Sequence, residues 1–236
     1  MTTHVQHQRT SNIARLRTPA LLVQGALALW VLMGVTALVC NLVQRSLLHR
    51  VETSPWSVSL ADLRADDARV DALNGVFVGL GIVTAVLFII WFRRAYMNVD
   101  ALGGLRGWGL GWAIGGWFVP IGNLFIPKQI AGDVNAAVCA RLAPAVGDGA
   151  LRRLRHWTNA WWAGWIALLV TGVLTNSTDR GEGQGVRQAL TANTMYTVRS
   201  VVIVVAAVLA LVMVRLVTHA ADRVQLDGEQ PVARRS

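Results

Sequence analysis

A chain of 236 residues that is 54% hydrophobic and 15% charged, at a mean hydropathy of +0.46, is too apolar for a soluble globular domain. A formal charge of +9 would suit nucleic acid in a soluble protein, but here the basic residues sit in short segments flanking apolar runs. That arrangement excludes nucleic acid as a partner and points to lipid instead.

In chain order, residues 1–18 make a polar tail bearing Arg9, Arg15 and Arg17, and residues 19–42 the first apolar run. The run lacks an A-x-A cleavage site, so it reads as an uncleaved membrane helix rather than a signal peptide. Residues 43–72 follow, with Ser59 and Asp62 at the spacing of a helix start. The second apolar run covers residues 73–92, the third 157–174 and the fourth 195–217. Each approaches the roughly 20 residues that a hydrocarbon core of about 30 Å requires. Arg199 and Arg215 bracket the fourth and must snorkel toward opposite interfaces. Residues 221–236 hold few apolar side chains and read as a disordered tail.

Basic residues retained on the cytoplasmic side set membrane topology. Arg15, Arg17, Arg93, Arg94, Arg152, Arg153, Arg155 and Arg215 fall on one side, and Arg45, Arg69 and Arg199 on the other. The expectation is an all-α protein with one four-helix membrane domain over residues 19–220 and both termini cytoplasmic. Cys40 and Cys139 then lie near opposite faces, which rules out a disulfide between them. All but one of the 22 basic residues are arginine, a skew that fits a GC-rich bacterial genome and so a bacterial inner membrane.

Residues 108–142 break the pattern. "GWAIGGWFVPIGNLFIPKQIAGD" is apolar, yet crossing would export flanking basic residues, and Pro120 would break a spanning helix at its middle. The expectation is a re-entrant segment: a helix over about 108–118, a turn at "VPIGN", and a return. Trp108, Trp112 and Trp117 would lie at headgroup depth. Pro127 suits the first turn of a following helix, in which Ile130, Val134, Ala137 and Val138 share one face. That helix is expected along the membrane surface, with Lys128, Asp133 and Arg141 toward water or lipid phosphate. Glycines 103, 104, 107, 109, 111, 115 and 116 are expected to permit close contacts and sharp bends.

"WFRRAYMNVDALGG" followed by "GWAIGGWFVPIGNLFIPKQIAGDV" resembles the core of the bacterial membrane family DUF4328, which carries W-x-R-A-Y-x-N and G-W-x-x-x-P-x-x-N-L-x-x-P-x-Q-I elements. The resemblance covers about residues 70–220. It implies Arg94, Ala95, Tyr96, Asn98, Gly116, Trp117, Pro120, Asn123, Leu124, Pro127 and Gln129 as shared positions, and it implies no reaction, because the family has no assigned activity. With Trp112, the chemically distinctive members of that set form the candidate site.

The residues carry no catalytic, cofactor or metal signature. The Gly-rich runs follow no strand, the carboxylates Asp62, Asp66, Asp67 and Asp71 match no oxygen-ligand loop, and His156 and His219 are isolated interfacial histidines. Spans one to three hold no ionisable group at membrane depth, which argues against a charge relay. The expected function is therefore a non-catalytic interaction or lipid-facing module, with anionic lipid at the cytoplasmic face and a membrane-protein partner as its company. Two alternatives stay open. One is a carrier for a neutral or amphipathic solute that uses Tyr96, Asn98, Asn123 and Gln129; the other is a lipid-modifying enzyme.

Overall fold

α1 (Arg17–Thr53) contains the first apolar run and continues well past it. The computed structural model describes residues 14–178 and 185–229. Pro19 falls in the first turn of α1, where its missing N–H would have had no partner. Little in "NLVQRSLLHRVET" opposes a helix; Pro55 ends it by disfavouring helical backbone at Ser54.

After a 3-10 turn at Pro55–Ser57 comes α2 (Leu60–Ala101). Its start is reciprocal: Ser59 Oγ accepts the Asp62 N–H at 3.1 Å, while Asp62 Oδ2 accepts the Ser59 N–H at 3.0 Å and its hydroxyl at 2.8 Å. These donors, the Ser59 N–H first, hold the Asp62 carboxyl below its usual value. From this cap α2 runs on through the second apolar run. It stops at Gly103, whose φ of +79° is the left-handed conformation that glycine adopts without strain. The Gly103 N–H bonds Asp100 O at 3.0 Å and the Gly104 N–H bonds Val99 O at 2.9 Å, the two hydrogen bonds of a Schellman cap.

The connection that follows holds one helical turn, α3 (Trp112–Gly115), and a 3-10 turn at Gly122–Leu124. The longer helix expected over 108–118 does not form. Glycines at 109, 111, 115 and 116 disfavour helix by up to about 1 kcal/mol each, and α3 buries only Ala113 to offset that. Pro120 lies beyond the helix end, so it is not what ends it.

α4 (Ile126–Thr178) and α5 (Val186–Glu229) complete the chain, and no strand occurs among the described residues. α4 is helical throughout but cannot be straight. Asn135 Nδ2 donates to Thr158 Oγ1 at 2.9 Å across 23 residues, which a straight helix would separate by about 35 Å. Its two arms therefore fold back on each other between those residues. The first arm matches the helix expected over 128–142, and the second holds the run at 157–174.

α1, α2 and α5 are long and apolar enough to cross a membrane. Their outward side chains agree with that: Leu32, Val39, Val78, Ile82, Val201 and Val205 are all exposed, an arrangement suited to lipid rather than water. The α4 run is less apolar, since Asn159 and four tryptophans lie between residues 157 and 165. The tail is a further difference. α5 is helical to Glu229, because Val217, Thr218, Ala221 and Val224 continue one buried stripe beyond residue 220. Residues 230–236, with His4, His7 and most of "TDRGEGQ", lie outside the described residues.

The chain packs as two units. One comprises residues 1–25, 85–162 and 209–236, the other 26–84 and 163–208. In the second unit, Trp30 of α1 meets Phe77 of α2 in a tilted contact at 4.8 Å, and Gly34 lets α1 approach Val204 and Ile203 of α5. A polar seam joins the same pair of helices. Asn41 Nδ2 donates to Ser200 Oγ at 3.1 Å, and Asn193 Nδ2 donates to Asn41 O and Gln44 Oε1, both at 3.0 Å. Between apolar helices such bonds supply the specificity that burial from lipid does not.

Candidate functional site

All the candidate residues belong to the first unit, on the last turns of α2, the connection and the start of α4. On α2 the buried positions Trp91, Phe92, Ala95, Tyr96 and Val99 form one face, while Arg94 and Met97 point outward.

Tyr96 is fully buried and its hydroxyl grips one residue of the connection by both backbone groups. It donates to Trp108 O at 2.8 Å and accepts the Trp108 N–H at 3.0 Å. The single phenolic proton is thereby spent. Asp133 Oδ2, 3.3 Å from the hydroxyl, takes the Gly107 N–H at 2.9 Å. Burial, with a smaller contribution from the Asp133 charge, pushes the Tyr96 phenol above its usual value. The Arg106 guanidinium pairs with Asp100 and lies 5.8 Å from the Tyr96 ring centroid. Trp108 Nε1 donates to Gln129 Oε1 at 2.8 Å, and the Trp108 ring meets Trp112 edge-on at 5.5 Å.

Trp117 fastens the far end of the connection. Its ring lies 5.6 Å from both Phe88 and Phe92 and 6.3 Å from Trp161, all in edge contacts of the kind that contribute about 0.5–1.5 kcal/mol each. Beside this cluster, Trp91 Nε1 donates to Thr218 Oγ1 of α5 at 3.1 Å. Gly104 is the point of closest approach to α4, since a Cβ there would come within 2.7 Å of the Ala137 Cβ.

Asn98 has a separate task. Its Oδ1 accepts the Ala14 N–H at 2.8 Å and its Nδ2 donates to Ala14 O at 3.0 Å, so one amide holds both backbone groups of the residue that leads into α1. Pro127 is buried in the first turn of α4, as its chemistry suggests, and Asn123 is half-buried with its N–H on Val119 O at 2.7 Å. Pro120 is exposed, and Trp112 is partly so.

The structure thus unites Tyr96, Gln129 and Trp112 through Trp108, and places Asn98 and Arg94 elsewhere. Two expectations need correction. Asp133 bonds the connection rather than facing water or phosphate, because its carboxylate accepts the Gly107 N–H. The apolar face formed by Ile130, Val134, Ala137 and Val138 is buried within the protein instead of lying on a membrane. Of the seven glycines singled out, 103, 104 and 116 have the expected roles, 107 lies against Asp133, and 109, 111 and 115 face open space. Trp108, Arg106 and Asp133 are the participants whose roles spacing did not reveal; the Tyr96 hydroxyl lies 12 residues from Trp108 and 37 from Asp133.

What remains outward on the connection is apolar. Leu105 is 92% exposed, Phe118 73% and Ile121 72%, with Val119, Leu124 and Phe125 beside them in sequence and also exposed. Arg94 and Lys128 are exposed too, and Arg94 makes no hydrogen bond or ion pair among the described residues, neither with Asn98 nor with a carbonyl of the connection. No group of three or more His, Cys, Asp and Glu side chains able to hold a metal occurs among the described residues, and His156 and His219 are both exposed.

Residues 55–219 match the sequence family described as Domain of unknown function (DUF4328). No curated protein sequence and no solved structure matches the chain.

Proposed function

Because the chain belongs to the DUF4328 family, whose description assigns no activity, we propose a function from geometry alone: a four-span membrane protein whose α2–α4 connection is a non-catalytic, lipid-facing module. The observation that carries this reading is the sorting of side chains on the connection. The Tyr96 hydroxyl, the Asn98 amide and Gln129 Oε1 are engaged in internal bonds rather than turned toward a solute. Phe118, Ile121 and their neighbours are left facing out from a backbone that is firmly held. A rigid apolar lip with basic groups nearby suits the boundary between acyl chains and anionic headgroups. In this reading the lip is a shallow re-entrant segment on the cytoplasmic side of a bacterial inner membrane, and Arg94 is a headgroup contact, its fork suited to phosphate.

Support for the fourth span comes from the first unit. It contains the start of α1, the end of α2, the start of the second arm of α4 and the end of α5. If α1 and α2 cross and return, α5 can end beside them only by starting from the other side, so the second arm of α4 crosses as well.

The test is depth. With Cys40 and Cys139 replaced, Ile121→Cys and Gly149→Cys carry a fluorophore in vesicles containing phosphatidylglycerol lipids doxyl-labelled on the acyl chain. Strong quenching at 121 with little at 149 is the expected result. No quenching at 121, with thiol reactivity toward a water-soluble reagent equal to that at 149, overturns the reading.

A further inference from the structure

In the second unit, Arg199 of α5 lies against the backbone of α4. A Cβ built on Gly172 would fall 2.8 Å from Arg199 Nη1, 3.7 Å from Cζ and 3.8 Å from Nη2, so the absence of a side chain at 172 is what lets the guanidinium lie there. Nη1 donates to Thr175 Oγ1 at 3.0 Å. Thr175 is 2% exposed, and its own hydroxyl proton goes back to the helix, toward Thr171 O at 3.0 Å or Gly172 O at 3.1 Å. The hydroxyl is thus oriented to present a lone pair to the arginine. Arg199 does not trail freely toward an interface, as snorkelling requires; it is seated.

A seated guanidinium without a counter-charge is unusual. Among the described residues no carboxylate pairs with Arg199, although the same unit pairs Arg69 with Asp66. One of the five guanidinium N–H groups is spent on Thr175, and the Nε and Nη2 edge keeps the fork geometry that matches a phosphate bidentately. Half-buried at the start of an apolar run, this cation gains from an anion with an apolar body more than it would in water.

We propose that Arg199, held by Gly172 and Thr175, is a binding site for the phosphate of an anionic amphiphile. The site is in the second unit and does not depend on the lipid-facing lip. Gly172 admits the guanidinium, Thr175 sets its plane, and Nε with Nη2 binds two phosphate oxygens.

The experiment uses the full chain in detergent, titrated with dioctanoyl phosphatidylglycerol and, separately, with inorganic phosphate, and bound ligand is counted by native mass spectrometry. Arg199→Gln removes the fork and Gly172→Ala displaces it without removing charge; Arg64→Gln, an exposed basic site elsewhere, is the control. Both site variants are expected to bind phosphatidylglycerol at least tenfold more weakly than the parent, with the control unchanged. Competition by millimolar inorganic phosphate identifies a free anion as an acceptable source; its absence identifies a lipid headgroup. Equal binding by parent and both variants, or no binding of either probe to the parent, overturns the site. If Arg199→Gln does not fold, Gly172→Ala decides by the same criterion.

Discussion

Replacing Tyr96 by Phe keeps the ring in its buried place and removes both hydrogen bonds to the Trp108 backbone, leaving one N–H and one C=O to find water. The expected cost is about 1–3 kcal/mol, read as a lower thermal midpoint in detergent. Alkaline pH should act on the same hydroxyl. Its folded-state value is raised by burial, so above about pH 10 the unfolded chain releases a proton that the folded chain keeps. Stability from Tyr96 is complete below that pH and falls as pH climbs toward the folded value, and Tyr96→Phe should flatten this part of the profile. Arg94 is the opposite case, a side chain with no internal partner among the described residues. Arg94→Lys is therefore expected to leave the midpoint in lipid-free detergent unchanged and to weaken the preference for phosphatidylglycerol over phosphatidylcholine vesicles. A lower midpoint without a change in preference would assign Arg94 to the fold.

The helices were legible where a local rule decides them. Ser59 with Asp62 marks the start of α2 and Pro127 the first turn of α4, and the face of Ile130, Val134, Ala137 and Val138 follows from helical spacing. What spacing lacks is the identity of the surface opposite. That face suits a membrane surface and a protein groove equally, and only the approach of Gly104 to Ala137 decides between them. The same gap hid Asp133, whose carboxylate has no sequence neighbour to pair with. The helical extension of α5 is written in the sequence, where Val217, Ala221 and Val224 keep the spacing of a buried stripe. Burying a carboxylate in that stripe without a partner should be far costlier than adding one beside it. Ala221→Asp and Val224→Asp are thus expected to lower the thermal midpoint by several degrees, whereas Arg223→Asp, on the exposed side, should shift it little. Equal shifts in all three would mean that the stripe contributes no packing.

For the whole molecule the decisive quantity is the parity of crossings. α1, α2 and α5 alone would cross three times and leave the two ends of the described chain on opposite sides of the membrane. Arg215 Nε, however, donates to Gln24 Oε1 at 3.1 Å, and Thr218 accepts from Trp91, so the late part of α5 lies beside the early part of α1 and the end of α2. In the four-span reading proposed above, an even number of crossings satisfies those contacts, and the second arm of α4 would supply the fourth. Its tryptophans are no obstacle, since Trp161 and Trp162 are buried against protein while Val170, Val173 and Leu174 are exposed where a spanning helix meets lipid. Single cysteines at Ser57, Gly149, Gly185 and Arg223, in a chain with Cys40 and Cys139 replaced, distinguish the cases by impermeant thiol labelling of intact cells. Four crossings put 57 and 185 outside, with 149 and 223 inside. Three would move 185 inside and 223 outside, and that exchange would sever the α1–α5 and α2–α5 contacts on which the first unit is built.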